Sequence, residues 1–247
     1  LALSTEKLLA GTDSKITTVG YYCNPIQYAE HRKTLENVIC TAGKFGATHV
    51  STFAGAWEGK PVESAYEEFG KVFRELADLA EEKGVKLGIE NCLMDGTWEH
   101  ATCNIGFNPK AWEVMFEEVK NDNFGLEWEP THQMVQLIDP VTELRKWCKK
   151  IVHIHGKDAT IDWDAVRHSG ISGAVPFVWH RMPGFGDTNW RDIISILRSN
   201  GYEDDICIEG YHDPVYSGEL EMTGQLHALN YLKWCRGGEF TPTPWAK

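Results

Sequence analysis

Val85-Lys86-Leu87-Gly88-Ile89-Glu90 is a short aliphatic run that follows Gly84 and ends on a carboxylate. Runs of this kind, bounded by glycine, read as strands. The stretch before it, 62–83, puts Phe69, Val72, Phe73, Leu76 and Leu79 on one face and predicts a helix closed by Gly84. The same alternation extends in both directions. Upstream, 16–22 reads as a strand, 31–46 as a helix with Leu35, Val38, Ile39 and Ala42 inward and Gly46 as its stop, and 47–53 as a strand. Downstream come helix 109–120, strand 124–129, helix 139–149, strand 150–155, strand 176–180, helix 188–200, strand 205–209 and helix 219–235. Strand–helix alternation over a whole chain predicts an α/β fold, a parallel sheet with helices outside. There are seven strand signals, whereas a closed (β/α)8 TIM barrel has eight. Residues 1–15 read as the end of a helix and a loop, and the sequence opens on Leu rather than Met. The expectation is therefore a TIM barrel whose strand one is missing from the sequence. The alternative, an open doubly wound sheet, usually carries a Gly-rich phosphate loop after its first strand, and the sequence has none. No Pro/Gly/Ser-rich linker interrupts the pattern, so residues 1–247 are expected to form a single domain.

Composition narrows the function. The 247 residues include 24 Lys plus Arg and 36 Asp plus Glu, a net charge of −12. That charge argues against a non-specific nucleic-acid binder, which needs a basic surface, and agrees with binding of divalent cations. Apolar residues at 42% and charged residues at 24% are an ordinary globular balance. Apolar runs fall far short of the ~18 residues that cross a bilayer, and no charged-then-apolar leader opens the sequence. The seven cysteines (Cys23, Cys40, Cys92, Cys103, Cys148, Cys207, Cys235) are odd in number and contain no C-x-x-C pair. They read as reduced thiols of a cytoplasmic protein with no membrane partner.

In parallel α/β barrels the chemistry sits at the C-terminal ends of the strands. Strand 85–90 ends in Glu90-Asn91. Strand 124–129 carries Glu127 and Glu129 and is followed by Pro130-Thr131-His132. Strand 150–155 carries His153 and His155 and is followed by Gly156-Lys157-Asp158, and the last strand ends in Glu209. Glu127 and Glu129 share a face, as do His153 and His155; the member nearer the strand end, Glu129 or His155, is the better candidate. Three carboxylates and one imidazole form a donor set for one divalent metal ion (Mn, Mg, Co or Zn), with positions left open for substrate.

These residues, with Asn24-Pro25, Phe53-Ala54-Gly55, Gly88-Ile89-Glu90-Asn91, Pro130-Thr131-His132, His155-Gly156-Lys157-Asp158, Pro183-Gly184-Phe185-Gly186-Asp187-Thr188-Asn189-Trp190 and Ile208-Glu209, resemble the sugar phosphate isomerase/epimerase family of the xylose isomerase-like barrel superfamily. That superfamily also holds tagatose epimerases, inosose isomerases and dehydratases, and apurinic endonucleases. The resemblance runs from about residue 16 to the end and implies Glu90, Glu129, His155 and Glu209 as metal ligands. The family usually has Asp where this chain has Glu129. It also implies substrate contacts from His132, from Arg181, and from Lys157 unless that lysine pairs with Asp158. Phe53, Trp57, Trp128, Trp179 and Trp190 are candidate walls for a sugar ring, with the rest of them in the core.

The implied activity is that of a metal-dependent isomerase or epimerase acting on a sugar, keto-sugar or cyclitol. Proton abstraction beside a carbonyl gives a metal-stabilised enediolate, with Glu90 and Glu209 as the two bases. A lyase, either a dehydratase or a C-glycoside-cleaving enzyme, would begin with the same step. A non-catalytic sugar-binding barrel is the alternative of another class. Phosphodiester cleavage is disfavoured, because the endonucleases place extra histidines where this chain has Tyr21, Tyr22, Cys23, Thr52 and Phe53. The lack of a phosphate loop or paired basic cluster favours a non-phosphorylated substrate. Homo-oligomer formation is left open by the sequence.

Overall fold

The computed structural model describes residues 2–238 and 242–243. In chain order the elements are α1 (Ala2–Leu9), β1 (Thr18–Gly20), α2 (Ala29–Thr41), β2 (His49–Thr52), α3 (Tyr66–Glu82), β3 (Lys86–Glu90), α4 (Pro109–Glu118), β4 (Phe124–Trp128), α5 (Pro130–Met134), α6 (Pro140–Trp147), β5 (Ile151–Gly156), β6 (Asp158–Ile161), α7 (Trp163–Ser169), β7 (Val178–Arg181), α8 (Trp190–Ser199), β8 (Ile206–Ile208) and α9 (Glu221–Arg236). They fall into two compact units. The first holds the chain as far as Gln133, with Lys149–Ile154 and Asp204–Ile206; the second holds Met134–Cys148, His155–Glu203 and the chain from Cys207.

The first unit holds β1, β2, β3, β4 and residues Ile151–Ile154 of β5, paired in that order in a parallel sheet. Its inner strands, His49–Thr52 and Phe124–Trp128, are buried at every residue, as expected for a parallel sheet covered on both faces. Helix α3 turns Phe69, Val72, Phe73, Leu76, Ala77 and Ala80 inward. Phe69, Phe73 and Phe116 pack around Phe124 of β4 with ring centroids 5.7–6.2 Å away. Gly46 and Gly84, which the sequence marks as helix stops, take φ of +79° and +68°, a region that costs glycine nothing.

The β3–β4 register sets Gly88 against Gly125 and Glu90 against Glu127. The β4–β5 register slips between Leu126 and Glu127, so that Leu126 faces Ile151 and Glu127 faces His153. Gly125 makes room for that slip, since a Cβ there would collide with the Lys150 carbonyl and the Val152 side chain.

In the second unit β6 and β7 form an antiparallel pair, Asp158 facing Arg181 and Ile161 facing Val178. This corrects one expectation: the strand placed at 176–180 is not a member of the parallel sheet. Its partner, β6, begins three residues after His155, too soon for a strand–helix–strand crossover, which needs a dozen or more residues. Side-chain caps start several helices. Asn108 accepts from Lys110 N (3.0 Å), Asp162 from Ala165 N (2.8 Å) and Asn189 from Asp192 N (3.2 Å). Pro109 and Pro140 occupy first-turn positions, where a missing N–H costs nothing.

Ahead of β1 the described residues form α1 and a loop, as the sequence reading expects, and none of them forms a strand. No described helix is long and apolar enough to cross a membrane.

Gly125→Ala is expected to destabilise the protein by about 1–3 kcal/mol or more through overpacking against backbone. Gly43→Ala, where an added Cβ meets nothing within 4 Å, should stay close to wild type. Thermal denaturation followed by tryptophan fluorescence separates the two.

Candidate metal centre

In the first unit Glu90 ends β3 and Glu129 follows β4 directly. Glu90 is 7% exposed and Glu129 wholly buried, and each offers a carboxylate oxygen within 4.8 Å of the other. Two asparagines fix the backbone that carries them. Asn91 accepts from Glu129 N (2.7 Å) and donates to the Glu129 carbonyl (2.9 Å). Asn104 donates to the carbonyls of Glu90 (2.9 Å) and Cys92 (2.8 Å) and accepts from Ala54 N (2.9 Å) and Gly106 N (3.0 Å). Both asparagines are fully buried, and with all these bonds made neither pays the penalty of an unmet amide.

His132 lies in α5 with Nε2 3.4 Å from Glu129 Oε2. Burial alone would lower its proton affinity. The Glu129 carboxylate and hydrogen bonds to Cys92 and Glu129 outweigh burial and hold the imidazole well above its usual range. Glu127 and His153, the alternatives left by the two-residue period, face each other with His153 Nδ1 3.1 Å from Glu127 Oε1. The Tyr22 hydroxyl donates to Glu127 Oε2 (2.8 Å). Trp57 is half-buried in the loop after β2, where its carbonyl accepts from Lys60 N at 3.0 Å. Trp128 is wholly buried and donates to Gln133 Oε1 (2.9 Å).

In the second unit His155, near the end of β5, has Nδ1 3.1 Å from Glu209 Oε2. Lys157 Nζ, 2% exposed by residue, lies 2.8 Å from Glu209 Oε1. Of the two partners weighed for Lys157, Asp158 is therefore not the one it takes. Asp158 instead accepts four backbone N–H groups, from Ala159 (2.8 Å), Gly184 (3.0 Å), Gly186 (3.2 Å) and Thr188 (2.9 Å). Burial dominates at this residue and lifts its carboxyl above the ordinary value despite those donors.

Arg181 Nε lies 3.3 Å from Asp213 Oδ2. Asp213 also accepts from Met182 N (2.7 Å), Val215 N (2.8 Å) and Tyr216 N (2.8 Å). Burial pushes this carboxyl up, but the backbone donors and Arg181 outweigh it and hold the group below the usual range.

Of the residues expected to share a site, Glu90, Glu129 and His132 thus meet in one unit, and His155, Lys157 and Glu209 meet in the other. The donor chemistry fits a divalent cation. Two buried carboxylates facing each other carry like charge that a cation relieves, and carboxylate plus imidazole is a set that Mn²⁺, Co²⁺ and Zn²⁺ accept. Sequence reasoning missed Asn91 and Asn104 as the clamps. An Asn beside each turn was visible, but a partner 38 residues away was not.

The chain belongs to the xylose isomerase-like TIM barrel family, whose family model matches residues 5–233. It is 26% identical over 182 residues to an inosose dehydratase of Clostridium tetani, a match covering 72% of this chain and 57% of that relative. The chain thus spans a little over half the length of that curated relative. Among solved structures, the IOLI protein crystallised with a bound zinc atom matches with a TM-score of 0.67 at 20% identity, covering 95% of this chain and 79% of that one. The 3-keto-D-glucoside 4-epimerase YcjR of E. coli matches with a TM-score of 0.68 at 14% identity, covering 95% and 86%.

Two outcomes are expected. Asn91→Ala strips partners from the buried N–H and C=O of Glu129 and should cost about 1–3 kcal/mol for each group left unmet, measured by urea denaturation. Asp213 has a folded-state proton affinity below its unfolded one. The stability it lends is present above the ordinary carboxylate value of about 3.9 and is lost as pH falls through the folded value. The urea midpoints of wild type and Asp213→Asn should therefore differ at pH 7 and converge in acid.

Proposed function

We propose that this chain is a metal-dependent isomerase or epimerase. It would act on a non-phosphorylated sugar, keto-sugar or cyclitol by removing a proton beside a carbonyl. The observation that carries the reading is the buried pair Glu90 and Glu129, in a chain of the xylose isomerase-like family. Glu90, Glu129, His155 and Glu209 are the ligands proposed for one divalent ion.

When bound, such an ion would polarise the substrate carbonyl and its neighbouring hydroxyl and acidify the C–H between them. The protein does the rest. Glu90 takes the proton, and the resulting enediolate is protonated by Glu209 on the other face (epimerisation) or at the neighbouring carbon (isomerisation). Lys157, 2.8 Å from Glu209, holds that carboxylate in place and carries a positive charge beside it. His132 and Arg181 orient hydroxyl groups, and Trp57 offers an apolar wall.

A second reading is dehydration, in which the enediolate expels a neighbouring hydroxide instead of being reprotonated. The match to an inosose dehydratase favours it, and the two readings share every residue up to the enediolate.

The test is a panel of keto-sugars and inososes incubated with the enzyme in D₂O. Deuterium entering the substrate carbon without loss of water supports isomerisation or epimerisation, and appearance of an unsaturated ketone supports dehydration. A substrate that turns over with neither points to hydride transfer and overturns the proposal. Glu90→Gln and Glu209→Gln should each remove turnover, since a positioned base alone is worth about 10²–10⁴ in rate. His132→Asn should cost less than either, about 1.5–3 kcal/mol for a hydrogen bond involving a charged group. A chelator should silence the wild type, with activity returning on readdition of Mn²⁺, Co²⁺ or Zn²⁺.

A further inference from the structure

Cys92 takes no part in the chemistry proposed above, yet its backbone is fixed together with that of Glu90. The Asn104 amide donates to the carbonyls of both residues, at 2.9 and 2.8 Å. Residues two apart on an extended segment project to the same side, so the clamp presents the Glu90 carboxylate and the Cys92 thiol together. His132 reaches them from α5, whose start is set by the Asn91 grip on Glu129. A carboxylate oxygen of Glu90, the Cys92 sulfur and a ring nitrogen of His132 all lie within 4.8 Å of one another. Glu90 and His132 are buried and Cys92 is partly exposed.

We propose that Glu90, Cys92 and His132 form a second cation site, selective for a thiophilic ion of the zinc class. One oxygen of Glu90 would be shared with the centre proposed for Glu90, Glu129, His155 and Glu209. Only this sharing rests on that earlier proposal; the trio stands on its own geometry.

Bonds of about 2.0 Å to nitrogen and oxygen and 2.3 Å to sulfur imply donor separations of roughly 3.3–3.8 Å in a tetrahedron. With donors no more than 4.8 Å apart, the trio therefore closes by at most about 1.0–1.5 Å on loading, within reach of side-chain rotation. Three protein donors leave the fourth position to water or a ligand oxygen. The thiolate selects zinc or cobalt over magnesium or manganese, which prefer oxygen. Cys92 binds as the thiolate and His132 as the neutral imidazole, and the protons of both pass to solvent on loading.

The probe is Co²⁺ alone, added to the full metal-stripped chain and read by equilibrium dialysis and by the near-ultraviolet thiolate-to-cobalt charge-transfer band. Wild type should bind two equivalents and show the band. Cys92→Ser should lose the band and one equivalent, whereas Cys103→Ser should keep both. His132→Gln should likewise lose the equivalent that carries the band, which preserves the test if Cys92→Ser fails to fold. Excess Mg²⁺ should leave the band in place.

A wild type without the band, or a band that persists in Cys92→Ser, overturns the site. The two proposals fail separately. A single equivalent with a Cys92-dependent band, unchanged by His155→Ala, sinks the four-ligand centre and leaves the Cys92 site standing. A single equivalent lost in His155→Ala, with no band at any stage, does the reverse.

Discussion

Two like charges held close together in a buried setting constrain everything around them. With Glu90 and Glu129 offering oxygens within 4.8 Å of each other, their repulsion when both are ionised amounts to roughly 3–4 kcal/mol at an effective dielectric near 20. The first unit answers with neutral groups. Asn91 and Asn104 are fully buried amides that grip backbone rather than carboxylate, so they hold position without cancelling charge. His132 is the neighbour whose proton affinity Glu129 raises. The asparagines thus set the strand ends without neutralising either carboxylate, as the metal centre proposed above would require. That is the preorganisation on which metal sites depend.

Much of this was legible in the residues. Helix α3 and strands β2, β3 and β4 follow from the spacing of Phe69, Val72, Phe73 and Leu76 and from short aliphatic runs bounded by Gly46 and Gly84. Local periodicity decides such elements because their core-facing residues are neighbours in sequence. The same logic placed Glu90, Glu129, His155 and Glu209 at or beside strand ends. It failed where a contact is distant in the chain. Lys157 sits beside Asp158 in sequence, but a lysine and the residue next to it on an extended segment point to opposite sides, and the lysine reaches Glu209 instead. The β6 strand was read as a motif because Asp158-Ala159-Thr160-Ile161 is too short to signal itself, and its partner β7 was assigned to the wrong sheet.

The pair passed over as farther from the strand ends also has a structural role. Glu127 and His153 sit across from each other on β4 and β5, and the Tyr22 hydroxyl satisfies the second carboxylate oxygen. The carboxylate thus has a phenol donor at one oxygen and an imidazole nitrogen 3.1 Å from the other. Nothing in the spacing of 127 against 129 separates the two carboxylates. What separates them is the identity of residues reaching in from the loop after β1 and from α5.

The β6–α7–β7 excursion is tied down at one end only. Asp158 gathers the amides of Ala159, Gly184, Gly186 and Thr188 onto one carboxylate, and a Cβ at Gly186 would collide with it. Everything between Ile161 and Val178 hangs outside that knot, with Trp163 and Ile171 exposed. Evolution can therefore lengthen, shorten or rewrite this segment without loosening its root, since exposed loop tips are where insertions are tolerated. Segments exchanged between relatives should splice most cleanly at residues 161 and 178.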